Sequence, residues 1–446
     1  MVASGEIQSP AGPDGPQVGP GWQREIESRL SPARSTTISV RTVRAAVRCF
    51  LWTVVGIHVF FLWSVRGRVQ KGDPDFTAFY TAARILREGR SANLYDPATQ
   101  NAVQFEFATN QDIRHGPLPY ICPPYEALVF VPLTFLPYAQ AFLLWNGLNL
   151  AMVALIAVLL RRSLTSLQDI QLWEWILGLL AFFPVFINFL QGQDAILLLL
   201  LFILGFRALD RDADFLAGCW FGMAVFKYHF VVPLILILAL WKGRKVVLGF
   251  AATASAATLL SLTIVGWRGA LKYPAYAWFV VSVPGHGQTP IGLMTNLVGL
   301  AIGWPILEPI AGPLRLLAIA ASMALLIAVM HMRRWVILPG NKAAFRLGFA
   351  GAVIATVLVP YLTNTHDLCL LVLPLALLAD YCASHWSERQ VVRPLLVQLI
   401  PVLISPLWIL LWLWGGKLNL FAIPLFGTIL AVRKELVRRS TVTSSA

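Results

Sequence analysis

The stretch YAQAFLLWNGLNLAMVALIAVLL, Tyr138–Leu160, closed by Arg161 and Arg162, decides the fold. It holds no charged residue, and a helix of this length crosses a hydrocarbon core, which takes about 20 residues. Comparable apolar runs recur along nearly the whole chain. Of the 446 residues 57% are hydrophobic and 13% charged, where a soluble protein carries about 25% charged residues. Mean hydropathy is +0.69. No strand-like alternation is present that could close a barrel, so the spans must be helical to satisfy their own backbone. The class is an all-α integral membrane protein.

Working outward, further spans are expected near 45–65, 173–190, 195–209, 246–266, 313–332, 344–361, 368–382, 394–414 and 418–432. The halves 217–227 and 229–241 read as a hairpin, which brings the total to about 10–12 helices. Residues 1–40, rich in Gly, Pro, Ser and Arg, read as a disordered cytoplasmic tail. A polytopic domain follows over 41–433, then a short cytoplasmic tail over 434–446. The first apolar stretch, flanked by Arg41, Arg44 and Arg48, reads as a signal anchor rather than a cleaved signal peptide.

The net charge of +13 would suggest nucleic acid in a soluble protein. Here the placement of charge accounts for it, and no nucleic-acid partner is expected. With the N-terminus in the cytoplasm and each span crossing once, the inward loops hold most of the 35 lysines and arginines. Among them are Arg161, Arg162, Arg207, Arg211, Lys242, Arg333, Arg334, Lys342, Arg346, Arg389, Arg433 and Arg438, as the positive-inside rule requires. The five cysteines are scattered through apolar runs with neither metal spacing nor a disulfide pattern.

Two long outward loops remain, 66–137 and 267–312, and connections of that length are usually functional. In the first, Phe76, Phe79, Tyr80, Ala83 and Leu86 recur at helical spacing, while Arg84, Arg87 and Glu88 lie elsewhere. That predicts an amphipathic helix on the membrane surface, stopped by Gly89. Pro123–Pro137 is apolar but too short to span and reads as re-entrant.

Polar residues gather at the outward span ends: Asp73 and Asp75, Gln191–Gly192–Gln193–Asp194, Lys227–Tyr228–His229, His286–Gly287–Gln288, Asn296, and His366–Asp367. Ionisable groups near hydrocarbon cost roughly 2.5–3.5 kcal/mol and tend to face a wet cavity, so one site is expected on this face. Asp75 stands just before the amphipathic helix. Its bland role is an N-cap worth about 1 kcal/mol; its functional role is a general base for an acceptor hydroxyl. Asp73, across Pro74, is the alternative base or a partner. Lys227, between two apolar half-helices, is either a snorkelling lysine or a cation for a lipid phosphate, with His229 nearby. His366 is an interfacial histidine or a phosphate or sugar contact. Tyr80, Tyr95, Tyr120 and Trp145 are of a type that stacks on sugars, although interfacial aromatic belts are common. The chain has no phosphate loop, no His-Glu-x-x-His, and no carboxylates at metal-ligand spacing.

An ordered set of short motifs resembles the polyprenol-phosphate-mannose-dependent mannosyltransferases of glycosyltransferase family 87, which carry the GT-C membrane fold. The set runs through Asp75-Phe-Thr-Ala-Phe-Tyr80, Ala82-Ala83, Gly89, Leu94-Tyr95-Asp96-Pro97, Cys122-Pro123-Pro124 and Pro132-Leu133. It continues through Leu136-Pro137, Gln191-Gly192-Gln193, Gly218 and Gly222 leading to Lys227, and His366. Cys122 stands where the family has tyrosine, and a single histidine stands at 366 where many relatives have two.

The resemblance implies a GT-C-type fold and a hexosyltransferase of the cell membrane acting on the extracytoplasmic face. A hexose, mannose in the family, would pass from a polyprenyl-phosphate-linked donor to a lipid or glycan acceptor, with inversion. It implies Asp75 as catalytic base and Lys227 and His366 as contacts for the donor phosphate. Asp73, Tyr80, Tyr95, Gln191, Gln193 and His229 are expected to line the substrate site, and no cofactor or metal is implied. The rival readings are a multi-span transporter or lipid flippase, which favours internal repeats with broken helices in matching halves, and a noncatalytic membrane scaffold.

The topology makes a direct prediction. In a chain stripped of its own cysteines, a cysteine introduced at Arg90 should react with an impermeant maleimide from outside sealed cells. One introduced at Lys342 should react only after permeabilisation; the reverse pattern would invert the arrangement.

Overall fold

The computed structural model describes residues 40–108, 118–282, 290–337 and 341–444. The expected disordered tail, apart from its last residue, and the His286–Gly287–Gln288 cluster lie outside the described residues. The chain divides into two units, Met1–Cys49 and Phe50–Ala446. Of the first, only the opening turns of a helix are described.

No strand occurs among the described residues. Leaving single turns unlabelled, the helices are α1 (Val40–Ser64), α2 (Phe76–Arg87), α3 (Pro97–Phe105), α4 (Pro124–Phe130), α5 (Tyr138–Ser163) and α6 (Leu172–Ala181). Next come α7 (Phe183–Gln191), α8 (Ala195–Leu209), α9 (Asp214–Met223), α10 (Tyr228–Lys242), α11 (Arg244–Ser282) and α12 (Leu297–Ile302). The last six are α13 (Ala311–Met330), α14 (Lys342–Leu358), α15 (Val372–Ser384), α16 (Arg389–Leu403), α17 (Ser405–Leu413) and α18 (Ala422–Ser444). Prolines start several of them, at Pro97, Pro124 and Pro184, where the missing N–H costs nothing.

Six helical stretches are long and apolar enough to cross a membrane, and there are eight if each of two bent pairs is one span. This is fewer than the ten to twelve expected. The reason is visible in α8 and α14, which have only 15 and 17 residues. From Leu347 to Leu358 every residue of α14 is buried, so protein rather than lipid surrounds it and a full hydrocarbon length is not required.

One of the six, Asp214–Lys242, is not a straight rod. Lys242 Nζ lies 3.4 Å from Asp212 and 3.5 Å from Asp214, whereas a straight helix of 29 residues would part its ends by about 40 Å. The chain folds back through the 3-10 turn Ala224–Lys227, as the hairpin reading expected, and Lys227 stands at its apex.

The two ends of the bundle carry different groups. At one end Arg207 donates to Leu159 O at 2.8 Å, Arg346 grips Asp210 through two bonds of 2.9 and 2.8 Å, and Lys342 reaches Asp210 O. Arg438 pairs with Glu388 there as well. At the other end Gln193 meets Asp75, Lys227 meets Asp194 and Asp367, and Asn296 donates to Pro360 O at 2.9 Å.

The first loop folds into a dry aromatic layer. α2 ends where Gly89 takes φ +73°, but it does not lie on a surface with one face wet. Phe76 to Ala83 and Ile85 are all buried, Thr77 and Thr81 included, because α4, the following turn Val131–Phe135 and α3 enclose it. α11 breaks at Gly266 (φ 67°, ψ 172°), where its expected span ends, and its continuation docks on the same layer. Tyr276 donates to Gln100 Oε1 at 2.9 Å and Tyr273 to Ile121 O at 3.2 Å. The part of the second long loop up to Val280 therefore packs on the first.

The hairpin is held against α11 by backbone contact. A Cβ on Gly218 would sit 2.0 Å from Val246 O, and one on Gly249 2.0 Å from Phe215 O. Such close approach is what small residues permit between membrane helices. Gly218→Val should destabilise the protein by about 3 kcal/mol, read as a lower unfolding temperature in detergent. Gly147→Ala, where a Cβ meets nothing within 4 Å, should be neutral or gain up to about 1 kcal/mol.

Candidate active site

Asp75 occupies the N-cap position of α2, yet its side chain makes no capping hydrogen bond. Its Oδ2 accepts from Gln193 Nε2 at 2.9 Å, and its backbone N–H donates to Gln191 Oε1 at 3.2 Å. The bland reading, a helix cap, is therefore not what this carboxylate does. Asp96, by contrast, does cap α3, accepting from Thr99 N at 2.9 Å.

The two glutamines converge on Asp75 because the chain turns sharply between them. Gly192 closes α7 in the left-handed region (φ 61°, ψ 40°). A Cβ there would lie 2.8 Å from both Phe142 and Phe76, so only glycine fits. Trp145 Nε1 donates to Gly192 O at 3.1 Å, and Asn188 Oδ1 accepts from Ala195 N at 3.0 Å. The loop is pinned from both sides.

The next residue, Asp194, belongs to a second group. Lys227 Nζ lies 3.2 Å from Asp194 Oδ1 and 3.2 Å from Asp367 Oδ1. The two carboxylates are 0% and 1% exposed. Asp367 is turned toward the lysine by its other oxygen, which accepts from Asn364 N at 3.0 Å. His366 Nε2 stands 3.5 Å from the same Asp367 oxygen. His366 is within electrostatic reach of Lys227, Asp194 and Asp75, and His229 within reach of Asp367, Lys227 and His366. The structure thus gathers Asp75, Gln191, Gln193, Lys227, His229 and His366 at one end of the bundle.

Tyr80 and Tyr95 belong to the packing. They are 5% and 4% exposed, and their hydroxyls donate to Leu136 O at 2.8 Å and Cys122 O at 2.9 Å. Burial pushes both phenols and the Cys122 thiol up, so all three stay neutral. Asp73 is half-buried, and its N–H donates to Arg68 O at 3.3 Å.

Three acidic residues of the site were given no role from sequence. Asp194 and Asp367 stood in polar clusters at span ends, but nothing showed that they clasp Lys227. Glu126 is 2% exposed and faces Asp194, Lys227 and Cys122. The signal for it was a lone charge in the apolar run Pro123–Pro137, which is costly unless used. Among the described residues no group of three or more His, Cys, Asp or Glu is arranged to hold a metal ion.

The model of glycosyltransferase family 87 matches residues 120–360, more than half of the chain and a segment that holds the Gln191–Asp194 loop and the Lys227 hairpin. No curated protein and no solved structure matches.

Removing one partner of a buried ion pair strands the other. Lys227→Met should cost about 3–5 kcal/mol of stability, measured by thermal unfolding. Adding Asp194→Asn and Asp367→Asn should restore most of that loss; no recovery would mean that the pairing does not set the stability here.

Proposed function

The chain belongs to glycosyltransferase family 87 and is a membrane glycosyltransferase; on that premise we propose that it moves a hexose, mannose, from a polyprenyl-phosphate-linked donor to a hydroxyl of a lipid or glycan acceptor. The active site lies on the extracytoplasmic face of the cell membrane, where nucleotide sugars are absent and a lipid-borne donor is at hand. Most weight rests on one arrangement. The Asp75 carboxylate is turned to Gln193 instead of onto its own helix, which suits a base that must face a substrate.

In this reading Asp75 takes the proton of the acceptor hydroxyl as its oxygen attacks the anomeric carbon. The bond to the polyprenyl phosphate breaks on the opposite side, so configuration inverts. One base suffices, because a phosphate needs no protonation to leave. Lys227 and His366 offset the charge that grows on the leaving phosphate. A lysine ammonium has three N–H donors; two point to Asp194 and Asp367, and the third serves a phosphate oxygen. Gln191, Gln193, Asp73 and His229 complete the polar rim. Tyr80 and Tyr95 act through packing, holding α2 and α3 in place.

Membranes bearing Asp75→Asn, assayed for transfer of labelled mannose from polyprenyl-phospho-mannose, should lose about 10²–10⁴-fold in rate while still binding the donor. Wild-type transfer by this variant would remove Asp75 from the mechanism. Failure of the unmodified protein to use any polyprenyl-phosphate sugar would remove the donor.

A further inference from the structure

We infer that Glu126 is a positioning residue that shares one proton with Asp194, and that this proton lets an anionic phosphate donor settle against Lys227; the second half rests on the donor proposed above. Glu126 lies in the first turn of α4, placed by the Pro123–Pro124 pair that starts the helix. It is 2% exposed. Neither of its oxygens, nor either oxygen of Asp194, has a hydrogen-bond partner among the described residues, although Asp194 is ion-paired to Lys227 at 3.2 Å.

The groups that face Glu126 come from several segments. Asp194 comes from the loop before α8, Lys227 from the hairpin apex, and Cys122 from the segment before α4. Tyr95, Tyr120 and Tyr125 are also within its electrostatic reach. Lys227 is the one cation in that set, and it already serves Asp194 and Asp367. With all three carboxyls ionised and the two histidines that face Asp194 and Asp367, His229 and His366, neutral, one positive charge would stand against three negative ones away from water. Two carboxylates in contact do not both ionise under those conditions; one proton is held between them.

That proton bears on the donor. A polyprenyl-phosphate sugar is a phosphodiester with a fixed negative charge, and it must approach the same ammonium. Each carboxylate neutralised nearby removes a repulsion that the incoming phosphate would otherwise meet. Protonation also lets Glu126 donate to Asp194, which satisfies both groups and keeps Asp194 directed at Lys227. Glu126 thus acts through Asp194 on the phosphate contact and need not touch the sugar. Binding an anion favours the protonated pair, so donor affinity is full at low pH and falls as rising pH strips the proton.

Infrared difference spectra of the purified full chain in an ester-free detergent, wild type minus Glu126→Gln, test the first half. The expected spectrum contains the carbonyl stretch of a protonated carboxylic acid, and carboxylate bands alone would overturn the inference. If Glu126→Gln does not fold, Asp194→Asn removes the sharing partner and should shift the same band. Equilibrium binding of radiolabelled polyprenyl-phospho-mannose without acceptor tests the second half.

Glu126→Gln keeps a neutral group of the same shape, and it should bind the donor within about twofold of wild type and hold that affinity as pH rises. The wild-type affinity should fall only in step with loss of its infrared band. A loss of about tenfold or more by Glu126→Gln at neutral pH, with an unchanged unfolding temperature, would mean that an ionised carboxylate is needed and would overturn the proposal. If the wild type binds no such donor, the functional reading fails, while the infrared band still decides whether Glu126 holds a proton.

Discussion

A charge enclosed by apolar helices must be answered by another charge, and the clasp of Lys227 by Asp194 and Asp367 organises this end of the molecule. The three residues come from the α9–α10 hairpin, the bend between α7 and α8, and the turn His366–Leu371. These segments are far apart in the chain, and each leaves regular helix at the point where it supplies its charge. An isolated lysine there would cost several kcal/mol and be driven toward the headgroups. Paired twice, it stays, and it fixes where the hairpin turns. The glycine contacts of α9 with α11 then hold that hairpin from behind, by shape rather than by charge.

Much of this was legible from residue pattern, because the physics involved is local. Apolar run lengths located most of the long helices, and Gly89 marked where one stops. The parts not legible depend on what surrounds a segment. Periodicity showed that α2 has an apolar face, but not that α3 and α4 would enclose its polar threonines too. Tyr80 and Tyr95 carry groups that suit sugar binding, yet their hydroxyls are taken by backbone carbonyls that no spacing rule could predict. α8 and α14 are short because other helices cover them. Glu126 was a single letter in an apolar run, and its meaning came only from its neighbours.

The broken helices bear on the rival reading. α6 and α7 meet at 71°, and α16 and α17 at 56°, an arrangement also found in transporters. Here the two breaks touch each other: Phe183 N–H donates to Ser405 Oγ at 3.0 Å, and Ser405 Oγ–H in turn donates to Ala181 O. The serine at one break satisfies the backbone freed at the other, which is the requirement for irregular backbone away from water. The breaks thus stabilise each other. What the first break accomplishes locally is to turn α7 so that its C-terminal end delivers Gln191. Family membership assigns the chain to the transferases, and this geometry is compatible with that assignment without calling on transport.

Four consecutive residues, Gln191 to Asp194, connect the two halves of the site. Gln191 and Gln193 hold Asp75, and Asp194 holds Lys227, so the proposed base and the proposed phosphate contact share one support. Gly192 makes this possible, since its left-handed turn brings both glutamines to one carboxylate while its missing side chain admits Phe76 and Phe142. Trp145 and Asn188 then fix the loop through its backbone. Acceptor and donor ends of such a reaction must keep a constant separation, because displacements near 1 Å cost orders of magnitude in rate. A short, pinned loop bonded to both ends meets that demand better than two separate supports would.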